Sequence, residues 1–225
     1  MIGTRPDISF AVGKLARFCE NPKRKHWLAV KRVLRYINGT SKMGLCYNGM
    51  KREGIFGYSD SDWAGDVSDR KSTSSYVFMM AGAAVSWCSR KQTVIATSSF
   101  EAEYVAMCMA CKEAVWLKRL VSVIPLKNDF EKGLEVLADS QSAIKLAANE
   151  SINRRNKHID ITYHFVRDVT SSGEVSLGYV PTSDMAADML NKPLARLKFE
   201  RFRRMCGVSS INVTKGYEQG GVLNN

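Results

Sequence analysis

The sequence predicts an α/β protein with a mixed sheet: the first three strands antiparallel, later strands parallel, helices flanking them, and a small basic helical segment in front. Three observations predict it. Strand-like runs at 54–60, 75–81 and 84–88 follow one another with only loops and a turn between them. A long Ala-rich helical pattern then opens at Ser98. After it, short apolar strands at 134–138 and 174–180 alternate with helical stretches, the order that produces parallel strands.

The elements follow in chain order. In HWLAVKRVLRYI (26–37), Trp27, Val30, Leu34 and Ile37 recur at helical spacing, and Asn38-Gly39 ends the run. Residues 43–50 and 54–60 read as two strands joined by a polar turn around Lys51-Arg52. Gly65 to Ser74 is a polar loop. SYVFMMA (75–81) and AVSWC (84–88) form a hairpin turned at Gly82. Ser98 and Glu101 make a capping box, with Ser98 as the cap and Glu101 reaching back, for a helix running to about Val123. LEVLA (134–138) is a buried strand ending at Asp139. Helices are predicted over 141–149, 158–172, 183–191 and 195–206, and the chain after Gly207 reads as loose.

With 45% hydrophobic and 24% charged residues, the chain has enough apolar content for a packed core. No run of about 18 apolar residues occurs, so no membrane-spanning helix is expected. The first residues lack an apolar core followed by a small-residue cleavage site, and are not read as a secretory signal. Charge is uneven. Residues 1–53 hold 12 Lys/Arg against 3 Asp/Glu, a net of +9, whereas 54–225 hold 21 against 19. A cationic module of this kind favours polyanions, nucleic acid above all. Cys108-Met-Ala-Cys111 is a lone pair with no second pair to complete a zinc site, so the cysteines read as small core residues of a reduced, intracellular protein.

Against this basic background, GYSDSDWAGD (57–66) gathers three carboxylates. Asp60 near a strand end, Glu103 early in a helix, Asp139 at the end of a second strand and Asp188 early in a later helix can converge at one end of a sheet. Unpaired, four such groups would repel one another. Two Mg²⁺ or Mn²⁺ ions about 4 Å apart would resolve the repulsion and suit oxygen donors. Asp62 is a second candidate, two residues from Asp60 on the same strand face. Glu101 is spent on the cap and lies about 200° round the helix from Glu103. Asp66, Asp69 and Asp184 read as turn or loop residues. Trp63, Trp87 and Trp116 read as core or site-wall residues.

GYSDSDWAGD, SSFEAEYVA, LADSQSAIKLA and YVPTSDMAADML, in this order and spacing, resemble the ribonuclease H domain of copia-type retrotransposons. TRPDISFAV and HWLAVKRVLRYINGT resemble the end of the preceding reverse transcriptase, and KHIDITYHFVRD and LNKPL match the same family. The resemblance spans 3–207. It implies a ribonuclease H-like fold over 54–194, a basic remnant of the reverse-transcriptase thumb or connection over 1–53, and a basic helix and tail over 195–225. It implies Asp60, Glu103, Asp139 and Asp188 as catalytic metal ligands, two Mg²⁺ or Mn²⁺ as cofactors, and hydrolysis of the RNA strand of an RNA–DNA hybrid. Ser61, Ser140 and Gln141 lie beside the acids as candidate donors to the sugar–phosphate chain. Arg90, Lys91, Lys118, Arg119 and the basic module are candidate backbone contacts.

Two departures stand out. Many ribonucleases H carry a loop His before the last Asp; here that stretch is Pro181-Thr182-Ser183-Asp184. His158 and His164 have no zinc-site partners and read as solvated or packed. The polymerase signature Tyr-x-Asp-Asp is absent, so polymerisation is not expected, and the missing reverse-transcriptase domains are candidate partners. Localisation is expected inside the cell, in cytoplasm, virus-like particle or nucleus.

A different class is also open. Arg32-Val-Leu-Arg35 fits the RxLR pattern of secreted oomycete effectors that act in host cells, though the acidic follow-up is reduced to Lys51-Arg52-Glu53 and the stretch lies inside a predicted helix. A third reading is an inactive remnant that still binds nucleic acid.

Overall fold

A computed structural model describes residues 3–48, 54–123, 133–148 and 157–211. In chain order the helices and strands are α1 (Ser9–Ala16), α2 (Arg24–Gly39), β1 (Met43–Leu45), β2 (Phe56–Asp62), β3 (Thr73–Met80), β4 (Ala83–Lys91), α3 (Ser99–Ser122), β5 (Leu134–Ala138), α4 (Gln141–Ala148), α5 (Lys157–Ser171), β6 (Val175–Tyr179), α6 (Arg196–Met205) and β7 (Val208–Ser210).

Five strands form the main sheet in the order β4-β3-β2-β5-β6. β2, β3 and β4 are antiparallel, while β5 and β6 run parallel to β2. This is the mixed sheet expected from the sequence, with antiparallel strands first and parallel strands after them. The β3–β4 hairpin turns through Ala81 and Gly82, both at positive φ, the two-residue geometry that matches strand twist. Because β3 is covered on both sides, its apolar residues run on without alternation. Phe78 enters one core with Leu134, Val136, Tyr104 and Met107, and Val77 and Met79 enter another with Met185, Leu190 and Phe202. Gly57 is required on β2, since a Cβ there would stand 2.4 Å from the Phe78 ring.

α3 lies over β2, β3 and β5. Its inner face is mostly small: Ala102, Ala106, Ala110, Cys111 and Ala114 are all buried, which lets helix and sheet approach closely. Cys108 and Cys111 are free and buried in that layer, as packing residues should be.

Several expectations are corrected. The strand at 43–45 does not join the main sheet; it pairs antiparallel with β7, so the stretch after Gly207 begins with a strand. The turn around Lys51-Arg52 lies outside the described residues. The predicted helix at 183–191 is two short 3₁₀ turns, Thr182–Asp184 and Ala186–Leu190. They are interrupted at Met185, whose backbone is extended while its side chain is fully buried. On α2 the apolar stripe splits, with Val30 and Ile37 half-buried and Trp27 and Leu34 exposed.

The basic N-terminal segment is organised around one buried acid and docks through Tyr36. Buried Asp7 accepts hydrogen bonds from Arg5 (2.8 and 2.9 Å) and from the Tyr36 hydroxyl (2.6 Å). Tyr36 in turn accepts from Arg203 of α6 (3.1 Å).

Candidate active site

Parallel pairing brings the first two acids together. The β2–β5 register sets Ser59 opposite Ala138, so Asp60 and Asp139 follow side by side at the carboxyl ends of adjacent strands. The third comes from the first turns of α3. Ser98 Oγ accepts the Glu101 amide (3.1 Å), and the Glu101 carboxylate takes the amide and hydroxyl of Thr97 (2.7 and 2.6 Å). Glu101 thus reaches back one residue further than the capping-box pattern predicts. The buried Gln92 amide donates to Ser74 Oγ of β3 (2.8 Å) and to the Ala102 carbonyl (3.0 Å), tying the start of α3 to the sheet. Glu103 then faces the strand ends. One carboxylate oxygen from each of Asp60, Glu103 and Asp139 lies within 4.8 Å of the others.

Asp188 completes the predicted four from the other side of Asp60, but with partners of its own. It is fully buried and ion-paired to Lys192 (2.6 Å) and Lys198 (2.7 Å). Lys192 also reaches Asp60 Oδ2 at 3.2 Å, and Asn191 Nδ2 donates to the same oxygen at 2.8 Å and to Ser75 Oγ at 2.9 Å. Asp139 is held by the Thr182 hydroxyl at 2.7 Å.

The electrostatics are those of crowded negative charge. Burial first, then its hydrogen bond with Asp188, pushes the Asp60 carboxyl up to about 7, against the pull of Lys192. Burial, then the charges of Asp60 and Asp139, pushes Glu103 up to about 9. Burial alone would raise Asp188 as well; Asp60, Lys192 and Lys198 outweigh it and hold that carboxyl below the ordinary range. The triad therefore fits a hard divalent cation. Its donors are all oxygens, they converge, and burial with neighbouring carboxylates pushes two of them toward the protonated form.

The other predicted residues scatter. Asp62 is half-buried, with its carboxyl raised by burial, and lies outside the triad. Its carboxylate occupies the space beside Gly65, where a Cβ would meet it at 1.6 Å. Ser61 is buried against Glu103, whose proton affinity it lowers. Ser140 caps α4 through the Ala143 amide (3.3 Å), and Gln141 is exposed at the start of that helix. Arg90 is exposed on β4. Lys91 is tied to Asp66 (2.7 Å) and Asp69 (2.8 Å), so Asp66, which also pairs with Arg17, is more than a turn residue. Lys118 and Arg119 lie about 22 Å along α3 from Glu103 and are not brought to the acids.

Trp87 packs in the second core, but Trp63 and Trp116 are about half exposed (49% and 54%); the Trp63 indole donates to the Ala96 carbonyl (3.1 Å). Asp184 pairs with Arg201. His164 is exposed, and the side chain of His158 lies outside the described residues. Sequence reasoning passed over Asn191, Lys192, Lys198, Thr182 and Gln92. The i,i+4 spacing of Asp188 and Lys192 was the one signal available for them.

The chain is 42% identical over 210 residues, 93% of its length, to the retrovirus-related Pol polyprotein from transposon TNT 1-94 of Nicotiana tabacum. Over nearly its whole length it is similar to retrovirus-related Pol polyproteins from transposons. It spans 16% of the length of that Pol relative. A shorter relative, Secreted RxLR effector protein 161 of Plasmopara viticola, is 50% identical over 117 residues, which are 52% of this chain and 82% of that protein. Among solved structures, LC11-RNase H1, isolated from compost by a metagenomic approach, overlaps 61% of this chain and 92% of its own with a TM-score of 0.46 at 17% identity. No family model matches the chain.

Proposed function

We propose that this Pol segment hydrolyses the RNA strand of RNA–DNA hybrids, using divalent cations held at Asp60, Glu103 and Asp139 with Asp188 alongside. One observation carries the reading: three carboxylates from β2, α3 and the end of β5 converge within 4.8 Å, and two of them are pushed toward the protonated form. Bound there, Mg²⁺ or Mn²⁺ would polarise a phosphate oxygen and lower the pKa of a bound water.

The chain supplies the geometry. Asn191 and Ser75 hold Asp60 in place from the β3 side. Thr182 orients Asp139, and the Ser98 cap with the Gln92 amide fixes where α3 presents Glu103. Gln141 beside Asp139 and Arg90 on β4 remain the candidate contacts to the sugar–phosphate chain. Ser61 is enclosed and Ser140 is spent on its cap. Choice of the RNA strand would rest on 2′-hydroxyls and hybrid shape rather than base edges. In this reading residues 54–194 form the catalytic domain, 1–53 are a reverse-transcriptase remnant, and the reaction is intracellular.

The test is cleavage of a labelled RNA–DNA hybrid in Mg²⁺ or Mn²⁺, beside Asp139→Asn and an EDTA control. Metal-dependent cutting of the RNA strand, lost in the variant, is expected. A folded chain that binds hybrid and cuts neither strand would overturn the reading and leave a nucleic-acid-binding remnant.

A second reading is favoured by the effector relative. Arg32 and Arg35 of the Arg-Val-Leu-Arg stretch are exposed on α2, open to a receptor. Secretion of the native chain into host tissue is its test, and retention inside the producing cell would end it.

A further inference from the structure

Asp60 serves two groups of charges. With Glu103 and Asp139 it makes the triad, and through Lys192 it is joined to Asp188. The Lys192 ammonium stands 3.2 Å from Asp60 Oδ2 and 2.6 Å from Asp188 Oδ1, bridging the two carboxylates. The remaining Asp188 oxygen, Oδ2, is engaged by Lys198 at 2.7 Å. Any further cation approaching Asp188 must displace an ammonium that is already in place.

We infer that Lys192 is a resident counter-cation occupying the position from which a second divalent ion would bridge Asp60 and Asp188. The free protein then takes up one ion, at Asp60, Glu103 and Asp139, and admits a second only when Lys192 leaves. This rests on the metal-binding reading of the triad given above and deepens it.

Charge balance gives the stoichiometry. Four carboxylates against two ammonium groups leave two negative charges, which one divalent ion neutralises. A second ion beside both lysines would leave the cluster doubly positive in a low-dielectric pocket. The lysines are suited to leaving. Asp188 has no exposed side-chain surface, but the Lys192 and Lys198 side chains are 29% and 35% exposed, so each has a path to water on a flexible stem. A phosphate backbone arriving at the site would offer Lys192 a competing anion. Release of the second position would thereby be coupled to substrate.

Mn²⁺ titration of the full chain without nucleic acid, read by the electron paramagnetic resonance of the free ion, tests this apart from cleavage. Wild type should bind one ion per chain, lost in Asp139→Asn. Lys192→Gln should keep that ion and gain a second, tightened by roughly tenfold or more, because one unit charge a few ångströms away has been removed. Melting curves report whether the variant folds. If Lys192→Gln does not, Lys192→Met, which keeps the apolar stem and removes the charge, carries the same expectation. Wild type binding no ion, or two of equal affinity, overturns the inference, and so does a folded variant that still binds only one. Since no hybrid is present, these outcomes are independent of whether the chain cuts RNA.

Discussion

On one face of the sheet, Phe78, Leu134 and Val136 meet the small side chains of α3 in an apolar layer, with the Gln92 amide tying the start of that helix to Ser74; on the other, Val77 and Met79 meet Met185, Leu190 and Phe202, but the apolar layer runs out at Asp60, Asp188 and Asn191. The first face can be judged by volume and fit alone. The second adds buried charges whose cost is met only by their partners. One sheet therefore has a side that supplies stability and a side whose stability depends on solution conditions.

The comparison breaks first at Phe78. Phe78→Ala should cost about 3–5 kcal/mol in urea unfolding, because a fully buried ring leaves a cavity against α3. A loss under about 1 kcal/mol would mean the helical face is not the main source of stability.

The acidic side should respond to pH and metal instead. Asp60 and Glu103 hold protons in the folded state to about 7 and about 9 and release them earlier when unfolded, so the folded chain binds more protons across this window. Without divalent ions, stability should be full below the ordinary carboxylate range and fall as pH rises through 7 to 9. Mg²⁺ replaces those protons, so the rise in Tm it causes should grow from pH 6 to pH 9, with a stabilisation of about 2.7 kcal/mol at a hundred times its Kd. A Tm unmoved by pH and Mg²⁺ over that range would show the two faces to be alike.

Gly57→Ala sharpens the contrast at a smaller scale. The new methyl meets the Phe78 ring and should cost roughly 1–3 kcal/mol while leaving Mg²⁺ affinity intact. Smallest is Ser98→Ala, at about 1 kcal/mol for the lost cap. Because the cap sets where Glu103 sits, this change should weaken Mg²⁺ binding by calorimetry where Gly57→Ala does not.

The contrast also explains what could be read from the sequence. The β3–β4 hairpin, the Ser98 start of α3 and β5 are local patterns with strong signals, and the positions of Asp60, Glu103 and Asp139 follow from the elements that carry them. The partners of Asp188 were not legible. Asn191 and Lys192 are placed by a 3₁₀ turn that local periodicity reads as α-helix, and Lys198 looks like any cation on a basic helix. Trp27 and Leu34 carry a helical spacing that predicts burial, yet α2 turns a different stripe, including Val30 and Ile37, toward the protein. Lys118 and Arg119 are candidate backbone contacts by charge alone, and the length of α3 separates them from the acids. The pairing of β1 with β7 joins residues more than 160 apart and leaves no local trace.

That small ladder has a mechanical consequence. Met43 pairs with Ser210 and Leu45 with Val208, and the Ile211 amide donates to the Lys42 carbonyl at 2.9 Å. The chain thus enters and leaves the ladder at the same end. Tension between Lys42 and Ile211 would load its hydrogen bonds one after another, as in a zipper, rather than all at once in shear. The clasp would open under weak pulling and close again when slack, while the five-stranded sheet behind it stayed whole.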